Sequence, residues 1–245
     1  MQNLSQQINR KRVLEQRMDD ILQRARVHGA TDAAVSVNHD QGFGVDARMG
    51  QVETVAFSEE KGIAVTVYIG QQKGSATSSD TSDAALDAMV TAAYDIAKVS
   101  AKDPCFGLPD VDLINMYYPA LDLLHPWSIT PEAAGELAVV CEAKALGVDK
   151  RIHNSDGVSI STYTFCHGYA NTRGFTGIID GSRHSLSCSL LAEEASGMQR
   201  DYAYTTARKA SDLMNSDDLA VLAANRTIAR LSPKQLETQK VPVLF

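Results

Sequence analysis

The residues best suited to bind a metal ion are two cysteine–histidine groups, Cys166 with His167 and His184 with Cys188. Thiolate and imidazole are the ligands that zinc prefers in proteins. Adjacent residues of a strand point to opposite faces, however, and residues four apart on one strand lie roughly 13 Å from each other. The sequence therefore favours buried structural cysteines and surface histidines over a zinc site, because a free cysteine packs readily as a small apolar side chain.

Other catalytic motifs are missing from the sequence. No histidine is followed by glutamate, so the paired-histidine zinc helix is absent. The sequence also has no G-x-S-x-G nucleophile turn and no G-x-x-x-x-G-K-[ST] phosphate loop. The acidic pairs Glu59–Glu60 and Glu193–Glu194 are chain neighbours, which diverge on a strand, and we interpret them as turn or surface charge.

The candidate functional residues lie in two segments in which polar and aromatic side chains alternate. They are Arg183, His184, Arg200, Asp201, Tyr202 and Tyr204. A sheet with one face in water explains such alternation without any function. The alternative is a surface that contacts a partner or an extended peptide, because tyrosine provides contact area at little entropic cost.

The elements that position these residues are predicted to form two successive domains of the α+β class, each with an antiparallel sheet flanked by helices. In the first, residues 1–103, apolar periodicity predicts helices over 5–29 and 82–100. Alternating segments between them predict strands, most clearly at 62–69. Turns are expected at 42–44 and 49–51.

Prolines interrupt residues 104–128, which we interpret as a connection anchored by Trp127. The second domain, residues 129–234, begins with a Thr130–Pro131 helix start. Four strand-like segments follow, at 158–170, 173–180, 184–193 and 199–207. A helix is then predicted over 216–230. Residues 235–245 are expected either to begin a truncated C-terminal domain or to dock as a terminal strand.

Composition and charge restrict the function classes. The net charge of −7 opposes non-specific binding to nucleic acid. No apolar segment reaches the roughly 18 residues of a membrane span, and the polar N-terminus lacks a signal-peptide core. The four cysteines are scattered without CxxC spacing. These features predict a cytoplasmic protein with reduced thiols.

Several separated segments resemble the TldD/PmbA family, whose members are described as metallopeptidases and as modulators of DNA gyrase. The resemblance extends from about residue 13 to residue 245 and is strongest towards the PmbA branch. The segments that carry it are 62–68, 73–76, 103–105, 123–126, 183–187, 200–204 and 231–233.

The resemblance implies a function that the residue patterns do not give. Family members are nearly twice as long, and the HExxxH zinc motif of the TldD branch lies beyond the segment present here. PmbA-type subunits lack that motif and pair with TldD-type subunits in a heteromeric zinc protease that processes unfolded or leader peptides. This chain would then provide assembly and peptide-channel surface, with zinc only in the partner, and no catalytic or metal-binding residue can be assigned.

Two alternatives remain open at this point. The first is a regulatory binding module that acts on DNA gyrase or another protein without proteolysis. The second is an independent enzyme whose site is assembled from residues without a recognisable motif. A homo- or hetero-oligomer is expected, and membrane contact is not.

Overall fold

The computed structural model describes residues 4–244, with side chains from residue 11 onwards. The helices are α1 (Leu4–Val27), α2 (Asp83–Val99), α3 (Pro131–Leu146) and α4 (Ser216–Ala229). The strands are β1 (Asp32–Arg48), β2 (Gln51–Ile69), β3 (Gln72–Ser78), β4 (Ile152–Asn171), β5 (Thr176–Glu194) and β6 (Gly197–Ala207). Among the described residues, no helix is both long and apolar enough to cross a membrane.

The strands form a six-stranded sheet in the order β3-β2-β1-β4-β5-β6. Antiparallel pairing places Val65 opposite Ala76 in β2 and β3, and Cys188 opposite Ala203 in β5 and β6. This combination of helices with an antiparallel sheet confirms the predicted α+β class.

The contacts divide the chain into two compact units, each built from three segments of the sequence. The first comprises residues 1–42, 57–126 and 163–182, and the second residues 43–56, 127–162 and 183–245. The units alternate along the sequence because β1, β2, β4 and β5 each run from 17 to 20 residues and contribute to both units.

Two glycine positions predicted as turns or joints lie inside strands instead. β1 continues through Gly42–Gly44, and β5 continues through Gly181, so the predicted segments 173–180 and 184–193 belong largely to one strand. Gly181 is buried below the ring of Phe165, where a Cβ atom would clash with the ring. The glycine provides space there, not a turn. The turn at Met49–Gly50 is confirmed, with φ of 50° and 78°.

The core of the first unit lies between helices α1 and α2 and the strands beneath them. Met18, Ile21 and Ala25 of α1 are buried, as their helical spacing predicts. Ser82 begins α2 by accepting a hydrogen bond from the backbone N–H of Ala85.

The core of the second unit depends on small side chains. Helices α3 and α4 bury alanines and a glycine against the strands, including Ala134, Gly135, Ala138, Ala220 and Ala223. Small residues allow close approach of a helix to a sheet, because no long side chain separates the backbones. Thr130 begins α3, with Pro131 in its first turn, as the sequence predicts.

The proline-rich connection has only a short 3-10 turn, Val111–Leu113, among its residues. Arg173 holds its first part in place, since its guanidinium pairs with Asp32 (2.9 Å) and donates to the carbonyl of Pro109 (2.8 Å). Trp127 packs against the core of the second unit. Residues 232–244 form neither helix nor strand, so the docked terminal strand is not observed for them; Phe245 lies outside the described residues.

Gly74 of β3 lies directly against the backbone of α2. A Cβ atom there would clash with it, at 2.0 Å from the carbonyl oxygen of Ala93 and 2.4 Å from the nitrogen of Ala97. We expect Gly74→Ala to lower the free energy of unfolding by about 1–3 kcal/mol, because backbone must move to admit the methyl group. Urea unfolding followed by circular dichroism measures the change. Thr77→Ala, at an exposed position of the same strand, is the control, and equal midpoints for the two variants would contradict the expectation.

Candidate functional site

The predicted site residues all lie on β5 and β6 in the second unit, but on two different faces. In the β5–β6 register, Tyr204 is opposite Ser187, and Tyr202 is opposite Ser189. Arg200 shares the face of these two tyrosines because it is two residues from Tyr202. Helices α3 and α4 pack on the opposite face, against Leu186, Cys188 and Leu190.

The two tyrosines form the most prominent feature of the face that the helices leave uncovered. Tyr202 is 50% and Tyr204 59% exposed. Their rings are stacked, with centroids 6.2 Å apart and planes inclined by 24°. Stacked aromatic side chains lose little further freedom on binding, so the pair is suited to contact another chain.

Arg200 and Arg183 add positive charge to this face. The guanidinium of Arg200 lies 2.7 Å from the carboxylate of Asp156 on β4 and donates to the hydroxyl of Ser189 (3.3 Å). Arg183 is exposed and donates to the hydroxyl of Thr206 (3.4 Å). These hydrogen bonds hold both side chains against the sheet.

Serines also lie on the uncovered face. Ser185, Ser187 and Ser189 alternate with buried residues along β5, and Ser159 and Ser161 do the same along β4. The sequence interpretation selected the arginines and tyrosines but did not include these serines. The strict alternation in Ser185–Leu190 could have identified them, because it predicts one apolar and one hydroxyl-bearing face. We call the residues Ser159, Ser161, Arg183, Ser185, Ser187, Ser189, Arg200, Tyr202 and Tyr204 the serine–tyrosine face.

Asp201 does not belong to the serine–tyrosine face. It is opposite the buried Leu190, and its carboxylate lies 3.8 Å from Arg226 and 3.5 Å from Arg230 of α4. The backbone N–H of Tyr202 donates to the same carboxylate (2.8 Å). That hydrogen bond, more than the two arginines, lowers the pKa of Asp201. Asp201 therefore ties α4 to β6.

His184 is fully buried, which corrects its prediction as a surface residue. It lies on the same face of β5 as the buried residues Leu186 and Cys188, so its ring points into the core. Nδ1 lies 2.9 Å from the hydroxyl of Thr162, and the ring packs edge-on to Trp127 with centroids 5.6 Å apart. The side chain is held by these contacts and is not available to a partner.

The residues that might have bound zinc do not fit such a site. His167 is exposed and pairs with Asp40 (2.9 Å), while Cys166 is buried in the core of the first unit. Hydrogen bonding to Cys141, together with burial, raises the pKa of the Cys188 thiol. Within residues 4–244 no group of three or more His, Cys, Asp or Glu side chains is arranged to hold a metal.

Comparison with known proteins relates this arrangement to a family. The model of the PmbA/TldA metallopeptidase central domain matches residues 124–231, and that of PmbA/TldA metallopeptidase domain 1 matches residues 33–97. The chain belongs to the PmbA/TldD family. It is 40% identical over 246 residues to Metalloprotease PmbA of Escherichia coli O157:H7 and 38% identical over 213 residues to a PmbA homolog of Haemophilus influenzae.

The alignment with the Escherichia coli relative covers 100% of this chain and 54% of that protein; for the Haemophilus relative the shares are 87% and 47%. The chain thus spans about half the length of the PmbA/TldD relatives that it matches. The fold is shared with a Bacteroides thetaiotaomicron structure described as a candidate modulator of DNA gyrase, with a TM-score of 0.83, 20% identity, and coverage of 91% and 51%. TldE from Thermococcus kodakarensis matches with a TM-score of 0.69, 11% identity, and coverage of 86% and 47%.

One buried carboxylate supports the PmbA/TldD fold in the second unit and was not recognised from the sequence. Glu142 of α3 is fully buried and accepts hydrogen bonds from the backbone N–H groups of Met49 (3.0 Å) and Gly50 (2.8 Å). It also accepts a hydrogen bond from the hydroxyl of Ser155 on β4. A helical glutamate followed by Ala143 and Lys144 is typical of an exposed position, so no local signal identifies this role.

Glu142 provides a test of how strongly the β1–β2 turn depends on α3. We expect Glu142→Gln to lower the free energy of unfolding by about 1–3 kcal/mol, because the amide NH₂ group cannot accept from an N–H that the carboxylate now satisfies. Urea unfolding measures the difference. Glu136→Gln, at an exposed position of the same helix, is the control and should change stability little. Similar values for both variants would show that the buried hydrogen bonds contribute nothing.

The pKa of Asp201 offers a second test. Because the Tyr202 N–H is the main cause of its lowered pKa, we expect Arg226→Gln to raise that pKa only partly towards the ordinary value. A group with a lowered pKa in the folded state stabilises the protein above its unfolded pKa, and this contribution is lost as the pH falls through the folded pKa. Carbon-detected NMR titration of the carboxylate measures both proteins. A complete return to the ordinary pKa would contradict the assigned cause.

Proposed function

We propose that this chain is a non-catalytic portion of a PmbA-type subunit that assembles with a TldD-type, zinc-bearing subunit into a protease for unfolded or leader peptides. The observation that carries the proposal is the serine–tyrosine face, which the helices of the second unit leave uncovered. The names of the curated relatives, Metalloprotease PmbA and its homologs, support the connection to proteolysis. The poor fit of the described residues to a zinc site supports a role without catalysis.

The physical character of the face supports assembly. Serine side chains are short, so the exposed and stacked rings of Tyr202 and Tyr204 are the bulkiest pair on this face. Protein interfaces are enriched in tyrosine and arginine, which often contribute most of the binding energy. The face would form part of the assembly surface or of the wall of the peptide channel. In keeping with its acidic net charge, nucleic acid is not proposed as a partner.

The proposal is tested with the full-length protein and its TldD-type partner. Mixed subunits should form a complex on gel filtration that cleaves an unstructured peptide, and a chelator should abolish the cleavage. If the partner alone cleaves as rapidly and no complex forms, the proposal is wrong.

The contribution of the serine–tyrosine face is measured with a paired substitution. We expect Tyr202→Ser with Tyr204→Ser to weaken the complex by about tenfold or more, because losing the contacts of an interface tyrosine commonly costs over 1 kcal/mol. Affinity is measured by titrating the labelled partner. Tyr117→Ser, at an exposed tyrosine of the first unit, is the control. Unchanged affinity in the double variant would remove this face from the interface.

A second candidate function is a regulatory binding module that acts on DNA gyrase. It is favoured by the Bacteroides structure, whose description names a candidate gyrase modulator. Purified gyrase should then bind the full-length protein in the absence of a TldD-type subunit, and its supercoiling rate should change. Binding that requires the TldD-type subunit would favour the protease proposal.

A further inference from the structure

An open cavity in the first unit is not used by the proposed function. Its volume is about 360 Å³, within the range of small-molecule sites. Val13 and Leu14 of α1 line it on one side, and Val37 of β1 and Ile63 of β2 line it on the other. Water in contact with these side chains gains few hydrogen bonds, so an apolar ligand would replace it favourably.

The mouth of the cavity carries basic groups. Arg17, His39 and Lys61 are lining residues, whereas no Asp or Glu is among the lining residues that the structure describes. Arg17 is held in place by donating to the carbonyl of Thr81. Its charge therefore stays beside the apolar wall.

Glu59 offsets part of this charge from outside the lining. Its carboxylate lies 2.7 Å from Nζ of Lys61 and 2.9 Å from Nε2 of His39. Hydrogen bonds from Lys61 first, and then from His39, lower the pKa of Glu59, so it stays ionised at neutral pH. Arg17 and Lys61 together carry one positive charge more than Glu59 removes.

We propose that this cavity binds a carboxylate carried on a medium-length alkyl chain. The chain would lie against Val13 and Ile63, and the carboxylate would face Arg17 and Lys61. Burial of an alkyl chain supplies most of the affinity, at about 0.8 kcal/mol per CH₂ group, whereas exposed ion pairs add little and chiefly set the sign of the preferred charge. Gly62 leaves room for the Asn38 side chain in the lining, since a Cβ atom there would lie 2.5 Å from Oδ1 of Asn38.

The apolar part of the proposal is tested by titrating the purified protein with octanoate and following methyl signals by NMR. We expect saturable shifts at Val13, Val37 and Ile63. Val13→Asp, which places a carboxylate at the wall, should abolish them. Val27→Asp, at an exposed valine near the other end of the same helix, is the matched control and should leave binding unchanged. Equal thermal melting of the two variants establishes that both are folded.

The charge preference is tested with ligands and variants of matched size. Octylammonium should bind at least several-fold more weakly than octanoate. Arg17→Gln and Lys61→Gln should each weaken octanoate binding several-fold, whereas Lys98→Gln, at an exposed ion pair of α2, should not. The proposal is overturned if octanoate shows no saturable binding, if octylammonium binds as well, or if Val27→Asp is as harmful as Val13→Asp.

Discussion

The second unit depends on the buried carboxylate of Glu142. An ionised group in an apolar interior is tolerated only when hydrogen bonds replace its water, and Glu142 has donors from the β1–β2 turn and from Ser155. The turn in return needs an acceptor, because its N–H groups point away from the sheet ladder. Arg48 adds a hydrogen bond to the carbonyl of Ser155 (2.9 Å) and so joins the turn to β4. The Glu142 side chain thus fixes the position of the β1–β2 turn relative to α3.

Small residues on the buried side of α3 complement this attachment. Glu142 ties α3 to the β1–β2 turn, and Gly135, Ala138 and Cys141 permit the helix to approach the sheet closely. Helices α3 and α4 both pack on one face of the sheet, and hydroxyl groups, arginines and tyrosines lie on the other. The serine–tyrosine face is therefore a consequence of how the core is built, and not an independent feature.

Local signals predicted much of the fold. The helix start at Thr130, the apolar spacing of α1 around Met18, and the turn at Met49–Gly50 each depend on neighbouring residues, and each is observed. The role of a glycine could not be predicted from the sequence alone. Gly181 leaves space below an aromatic ring, whereas Gly50 adopts the left-handed backbone conformation of a turn. The burial of His184 could not be predicted, since Thr162 and Trp127 approach it only after folding. The role of Glu142 depends likewise on residues more than 90 positions away.

Residues of the segment 200–204 lie alternately on the two faces of the sheet and therefore have different roles. Arg200, Tyr202 and Tyr204 lie on the uncovered face, whereas Asp201 and Ala203 lie towards α4. A substitution at Asp201 releases two arginines of α4 and changes stability, whereas a substitution at Tyr202 removes exposed surface together with the contact between its ring and the guanidinium of Arg226 (5.8 Å). Neighbouring positions therefore report on different properties, and loss of assembly after deletion of the segment would not distinguish them. Only changes confined to the outward residues, with stability measured alongside affinity, connect this motif of the PmbA/TldD family to its interactions.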